Sequence, residues 1–249
     1  MDTNAQPAHV AIVTGAAGGI GLATCRRFLR DGVAVVLAGR HQDKLDAAVL
    51  ELSKDADPAR IATAVCDVSV EDQVAATVDG AIARFGHWDI VVNNAGLMEF
   101  KPIEEQTPDD WQRVLGVDLM GAFFFVKQAF LKMPRGGAVV NVSSVHAVET
   151  EALVAPYAAA KAALLSLTRS GAIEGRPKGI RVNAVLPGAV DTPMLWENPN
   201  VKSGAEVIDK ADVGTPEDIA NAIAFLAGPD AGFVCGASLY VDGGRLAKL

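Results

Sequence analysis

A short β-rich run, His9-Val-Ala-Ile-Val-Thr14, breaks into Gly15-Ala-Ala-Gly-Gly-Ile-Gly21. It continues as an apolar helical pattern through Leu22, Cys25, Phe28 and Leu29, until Asp31-Gly32 stops it. No other stretch limits the architecture as much. A strand that turns through glycines into a helix aims backbone N–H groups and a helix N-terminus at one point, where a phosphate can be received. Gly15, Gly19 and Gly21 offer positive φ, close backbone approach to a pyrophosphate and tight helix–sheet packing. Glycines also close ordinary βα turns, but the flanking strand and helix favour the nucleotide reading.

The second apolar run, Val33-Ala-Val-Val-Leu-Ala38, ends at Gly39-Arg40. A ribose 2′-OH is commonly met here by an acidic side chain. Gly39 offers no carboxylate, whereas Arg40 offers a cationic fork suited to a 2′-phosphate, which favours NADP(H). A guanidinium can also stack on adenine or lie in solvent, and no basic residue sits in the glycine turn, so NAD(H) stays open.

Strands and helices keep alternating: a helix over 43–52, a strand over 61–66, a helix over 71–85 and a strand over 90–92 followed by Asn93-Asn-Ala-Gly96. The order predicts an α/β fold: one Rossmann-type, doubly wound parallel sheet with helices on both faces, residues 1–249 forming a single domain. Ligands bind such sheets at the C-terminal ends of the strands. Arg40, Asp67, Asn94, Gly96 and Ser144 all fall at predicted strand ends. By itself, Asp67 is more often a helix or turn cap.

Ser144 follows the apolar run Gly137-Ala-Val-Val-Asn-Val142, and Tyr157-Ala-Ala-Ala-Lys161 follows in an Ala-rich helical stretch. Four-residue spacing places Tyr157 and Lys161 on one helix face. A phenol is a poor base, with an ordinary pKa near 10, and an adjacent ammonium favours the phenolate. A strand-end hydroxyl facing that pair can hold a substrate oxygen while the phenol exchanges a proton with it. Alone, Tyr-x-x-x-Lys more often marks a half-buried ring beside a solvated charge; the other motifs give it weight.

The net charge of −8 and pI near 5.0 argue against nucleic acid or an anionic membrane surface as partner. No apolar run is expected to reach a bilayer span, and the polar start, residues 1–9, lacks the form of a signal peptide. Cys25, Cys66 and Cys235 lack a Cys-x-x-Cys pair and fit reduced thiols in a cytoplasmic protein. The four histidines lack ligand spacing, so no metal is expected.

Residues 109–133 read as one long helix, apolar nearly all round, and the Tyr157 helix is similarly apolar. Two such helices predict a subunit interface as well as a core. Residues 194–213, with Trp196, Pro199 and Gly204, lack clear periodicity and read as a substrate lid or a plain surface insertion. Thr215-Pro-Glu-Asp218 starts another helix, and 238–241 form a last strand.

Together these motifs resemble the short-chain dehydrogenase/reductase family, in its single-domain NAD(P)-dependent branch. The resemblance runs from about His9 to Gly244 through Thr14-Gly-x-x-x-Gly-Ile-Gly21, Asp67-Val68, Asn93-Asn-Ala-Gly96, Ser144, Tyr157-x-x-x-Lys161, Pro187-Gly188 with Thr192, and Val241-Asp-Gly-Gly244. It implies interconversion of a small secondary alcohol, or sugar hydroxyl, and its carbonyl by hydride transfer. Tyr157 would be general acid/base, Ser144 would orient the substrate, and Lys161 would tune Tyr157 and hold the nicotinamide ribose. Ile20, Asn94, Ala95, Gly96, Pro187, Gly188, Val190 and Thr192 would line the cofactor, with Asp67 and Val68 at its adenine. A homotetramer or homodimer built on the two apolar helices is also implied.

One residue departs from the family pattern. Gly116-Val-Asp-Leu119 carries Asp118 where the family generally has an asparagine that anchors a water linking the lysine to solvent. If its backbone carbonyl does the anchoring, Asp118 is tolerated. If its carboxylate is ionised near Lys161, it raises the lysine pKa and weakens the positive field on Tyr157, giving a working enzyme with an altered pH profile. His146, two residues beyond Ser144, is a candidate substrate contact, with Met98, Glu149 and Trp196, and also Glu99 and Val148, as pocket neighbours. A sugar, a short hydroxy acid or a 3-oxoacyl compound are the candidate substrates. The competing reading is a nucleotide-binding regulatory or scaffold protein with weak catalysis, against which the intact Ser144, Tyr157 and Lys161 argue.

Overall fold

The computed structural model describes residues 7–247; the remaining residues of the polar start, 1–6, lie outside it. Seven strands make one parallel sheet: β1 (Val10–Thr14), β2 (Ala34–Gly39), β3 (Ile61–Val65), β4 (Ile90–Asn93), β5 (Ala138–Val142), β6 (Arg181–Pro187) and β7 (Ser238–Val241), in the order β3-β2-β1-β4-β5-β6-β7. The central strands β1, β4 and β5 are buried at every position, as expected of strands covered on both faces. Side chains alternate across the sheet. Val13, Val35 and Leu37 meet Phe28 of α1 (Gly19–Arg30), Leu45 of α2 (Gln42–Leu52) and Ile223 of α9 (Pro216–Ala227). On the other face, Ile12, Val36, Val91 and Val139 meet Val78 of α3 (Glu71–Phe85), Phe125 of α5 (Gly121–Lys132) and Ala172 of α6 (Ala155–Gly175).

Val13 pairs with Leu37 of β2 on one side and with Val92 of β4 on the other. The winding reverses there, and the chains leaving the two strands diverge to open a crevice at their C-terminal ends.

The helix expected over 109–133 is interrupted. It consists of α4 (Pro108–Leu115), a π turn (Gly116–Met120) and α5, with Thr107 and Asp110 forming a capping box at its start. The break follows from packing. A Cβ on Gly121 would lie 2.8 Å from the Val68 side chain, so the helix rests tightly on the loop after β3. By length and composition, Pro108–Lys132 is apolar enough to cross a bilayer, which corrects the expectation of no such run. Here it packs on α3 and α6.

Residues 194–213 also differ from expectation. They hold α7 (Pro193–Trp196), α8 (Pro199–Ser203) and a 3-10 turn at Lys210–Asp212. Each short helix starts at a proline, and the Asn198 side chain accepts from the Asn200 amide to cap α8. Segments this short carry no apolar period to read.

Buried polar bonds fix α6 to the sheet. Asn93 Nδ2 donates to Asn141 Oδ1 (2.8 Å), and Asn141 Nδ2 donates to Thr168 Oγ1 (2.8 Å). Ser143 Oγ donates to the Lys161 carbonyl (2.9 Å), and Lys161 Nζ donates to the Val142 carbonyl (3.0 Å). This lacing sets the helix against the end of β5.

Candidate active site

The crevice opens into a cavity of about 740 Å³ whose walls combine the glycine turn, the end of β4, the start of α6 and the loop after β6. At the glycine turn, Gly15 (φ 63°) and Gly19 (φ 51°) take left-handed conformations that side-chain-bearing residues avoid. Gly21 is needed for a different reason: a Cβ there would stand 2.4 Å from the Gly15 carbonyl oxygen. The α1 N-terminus has no side-chain cap and no acid in its first turn, and around Gly18 a Cβ would meet nothing within 4 Å. Free amides, open space and an uncompensated helix end fit a pyrophosphate.

Thr14 ties the turn to β4. Its Oγ1 accepts from the amides of Asn94 and Ala95 (both 2.9 Å), while Asn94 Nδ2 donates to the Thr14 carbonyl (2.8 Å). Asn94 therefore braces the glycine turn as well as lining the cavity. Thr14, the first residue of the Thr14-Gly-x-x-x-Gly-Ile-Gly21 motif, has this bracing part too.

At the cavity floor, Ser144, Tyr157 and Lys161 are brought together and are nearly buried, at 7%, 6% and 3% exposure. Ser144 begins a 3-10 turn and its Oγ accepts from the His146 amide (3.2 Å). Lys161 Nζ lies 5.4 Å from the centre of the Tyr157 ring, as helical spacing requires. The His146 ring meets the Tyr157 ring edge-on at 5.8 Å, and its Nδ1 is 3.1 Å from Thr150 Oγ1.

Asp118 stands behind this group. Its Oδ1 accepts from the Leu97 amide (2.7 Å), and its Oδ2 lies 3.1 Å from Lys161 Nζ, a charge contact rather than a well-aligned hydrogen bond. The sealing is tight, because a Cβ on Gly96 would meet Asp118 Oδ2 at 3.2 Å and Lys161 Nζ at 3.4 Å. Burial raises the Asp118 carboxyl against the pull of Lys161. Burial disfavours the Lys161 ammonium, but the negative charges of Asp118 and the Tyr157 phenolate outweigh it and raise that group. Burial pushes the Tyr157 phenol above its ordinary value; Lys161 and Ser144 oppose this and Asp118 adds to it.

Of the remaining expected residues, Gly15, Gly19, Ile20, Asn94, Ala95, Gly96, Pro187, Gly188, Val190 and Thr192 line the cavity, as do Met98, His146 and Glu149. Arg40, Asp67 and Val68 stand outside it, beyond the ends of β2 and β3. Arg40 is exposed and close enough to Asp67 to help lower its carboxyl, although hydrogen bonding from Ser69 dominates. Asp67 accepts from both the amide and hydroxyl of Ser69, which makes it a turn former. Trp196 does not line the cavity: its indole N–H is taken by Asp191 (2.7 Å), while Met194 and Leu195 face in. Glu99 and Val148 are also outside, Glu99 being drawn outward by Arg113.

Among the wall residues that the sequence did not single out are four polar ones, Glu151, Asn198, Glu206 and Arg245. Asn198 Nδ2 donates to Glu151 (2.8 Å), and Arg245 forms an ion pair with Glu206. Burial, then the neighbouring Glu151, raises the Glu206 carboxyl. These residues come from three separate segments with no shared motif, so only the fold joins them.

The family described as enoyl-(acyl carrier protein) reductase matches residues 15–245. Cis-4-hydroxycyclohexanecarboxylate dehydrogenase of Sinomonas cyclohexanicum is 43% identical over 245 residues, spanning 96% of this chain and 97% of that protein. 3beta-hydroxysteroid dehydrogenase 1 of Eggerthella lenta is 39% identical over 240 residues, spanning 94% and 92%. A solved structure of a mutant Serratia marcescens short-chain dehydrogenase/reductase superposes with a TM-score of 0.84 at 32% identity, covering 96% of this chain and 98% of that one.

Proposed function

The chain belongs to the short-chain dehydrogenase/reductase family, and on that footing we propose that it is an NADP(H)-preferring oxidoreductase of a small alicyclic secondary alcohol and its ketone. The observation that carries the reading is the convergence of Ser144, Tyr157 and Lys161 at the floor of a cavity whose other end is the glycine turn. When bound, the nicotinamide cofactor supplies or accepts the hydride. The chain does the rest. Ser144 Oγ holds the substrate oxygen, and Tyr157 Oη gives it a proton in reduction or takes one in oxidation. Lys161 favours the phenolate against the burial that opposes it and would hold the cofactor's ribose hydroxyls, while the Gly15–Gly21 turn would receive its pyrophosphate. Burial of the phenol and the serine keeps bulk water from the proton being moved.

The ring-alcohol assignment draws on the two relatives whose names specify a hydroxycyclohexane carboxylate and a hydroxysteroid. Preference for NADP(H) draws on Arg40, exposed at the β2 end beside Asp67 with no carboxylate at Gly39 to claim a 2′-OH. Cytoplasmic location and a homotetramer or homodimer complete the proposal. The test is titration with NADPH and NADH by fluorescence, with Arg40→Ala beside the parent, followed by turnover of cyclic ketones. NADPH should bind more tightly and lose that advantage in the variant, and Tyr157→Phe should lower kcat by about a hundredfold or more. Equal binding of both cofactors by the parent would refute the NADP preference, and unchanged turnover in Tyr157→Phe would refute the catalytic assignment.

A further inference from the structure

Asp118 occupies a place where an acid has no structural necessity. An asparagine would present the same oxygen to the Leu97 amide, so the only property unique to aspartate there is its charge. That charge is sealed in: the side chain of Asp118 is 0% exposed and that of Lys161 is 4% exposed. Buried ions persist when paired, and with Nζ and Oδ2 3.1 Å apart the two form a unit of zero net charge.

Among the described residues the charges that act on Tyr157 are those of Lys161 and Asp118; Glu149, Glu151 and Asp212 line the same cavity without shifting the phenol. Ser144 offers a neutral hydroxyl, and His146 faces the ring edge with its imidazole held neutral by burial. Glu206 and Arg245, beyond His146, are paired to each other. On the α4 side the nearest charges are also paired, Lys101 with Asp110 and Arg113 with Glu99 and Asp110. Lys161 and Asp118 thus set the local field at the phenol.

We propose that Asp118 is a charge-compensating positioning residue that cancels the Lys161 ammonium at Tyr157, confining alcohol oxidation to alkaline solution while leaving carbonyl reduction intact at neutral pH. The proposal rests on the reading of Tyr157 as acid/base. Reduction needs the protonated phenol, so its rate falls as pH rises through the point of ionisation. Oxidation needs the phenolate, so its rate rises through that same point. A neutralised lysine no longer draws the ionisation downward, and both limbs move together to higher pH. Among the two directions open to this site, the sealed pair selects the reductive one for neutral conditions.

The test has a readout that needs no turnover. The chain has two tyrosines, Tyr157 and the half-exposed Tyr240, so ultraviolet titration of the parent minus Tyr157→Phe isolates the Tyr157 phenolate. In Asp118→Asn the Tyr157 transition should fall by about one pH unit or more, the scale for an ammonium freed of its counter-charge. The rising limb of kcat/KM for alcohol oxidation should fall with it, and melting temperatures identify a variant that has not folded. Asp118→Ser removes the charge with a smaller side chain and must shift the same way, which covers failure of the first variant. Coincident titrations of the parent and the folded variants, or a shift to higher pH, would overturn the proposal. A shifted titration without turnover by the parent would uphold the charge compensation at Tyr157 and overturn the assignment of reaction direction together with the hydride-transfer reading.

Discussion

Two side chains illustrate how much a single position carries. The Thr14 hydroxyl is the shared acceptor for the Asn94 and Ala95 amides, so Thr14→Val keeps the shape and orphans two donors. We expect a loss of about 1–3 kcal/mol in urea unfolding, together with weaker nucleotide binding as the glycine turn loosens. At Gly21 the cost is steric. Gly21→Ala forces a methyl to within 2.4 Å of the Gly15 carbonyl and should lower stability by about 1–3 kcal/mol while weakening NADPH at least tenfold in titration. Gly21 was legible because a strand, glycines and a helix in that order admit few geometries. Trp196 was misread for the opposite reason. Nothing local foretells that Asp191 takes its indole N–H, and a large aromatic near a suspected lid attracts a pocket role by size alone.

Among elements, the segment over the cavity shows where sequence patterns stop informing. Glu206, between α8 and the 3-10 turn, pairs with Arg245, and Asn198 reaches Glu151. Segments far apart in the chain meet there without any periodicity to announce it. Arg245→Ala should free one side of this cover and raise KM several-fold with little change in kcat, since the proposed proton transfer belongs to Tyr157 and Ser144 and not to this wall residue. Capping, by contrast, was plain in the letters. Thr215-Pro-Glu-Asp218 starts α9 as expected, with Thr215 and Asp218 forming a capping box, and the Asp218 carboxyl is held low by its bonds to Thr215. A depressed carboxyl stabilises above its ordinary pKa and ceases to do so as pH falls through its lowered one. Thr215→Ala should therefore cost about 1 kcal/mol in thermal unfolding near neutral pH and less in strong acid.

For the whole molecule, alternating strand and helix patterns sufficed to foresee the parallel sheet, because continuous apolar strands demand cover on both faces. The assembly is a different matter, since an interface leaves only exposed apolar residues as its trace. Ile173, at the end of α6, is 75% exposed, and Phe233 is 104% exposed; both border a second cavity, of about 1340 Å³, together with Phe225. Patches of this kind accompany association. If the proposed homo-oligomer uses that face, Phe233→Asp will lower the sedimenting mass and leave the circular dichroism of the fold unchanged. An unaltered mass would direct the search to Phe123 and Leu131 of α5, which are also exposed.

The π turn at Gly116–Met120 has a consequence for which lengths of chain the fold can tolerate. A helix is a screw, and each residue advances its phase by about 100°. Val114 faces the core before the turn, and Phe125 and Ala129 face it afterwards, so the wide turn absorbs the phase difference between the two halves. Removing one residue from the wide turn would close it to ordinary α-helical turns and leave Phe125 on the sheet, whereas removing one from the start of α5 would rotate every side chain beyond it by about 100°. Surface loops tolerate changes of length anywhere, but in this helix a one-residue change is absorbed at the wide turn and nowhere else along α5.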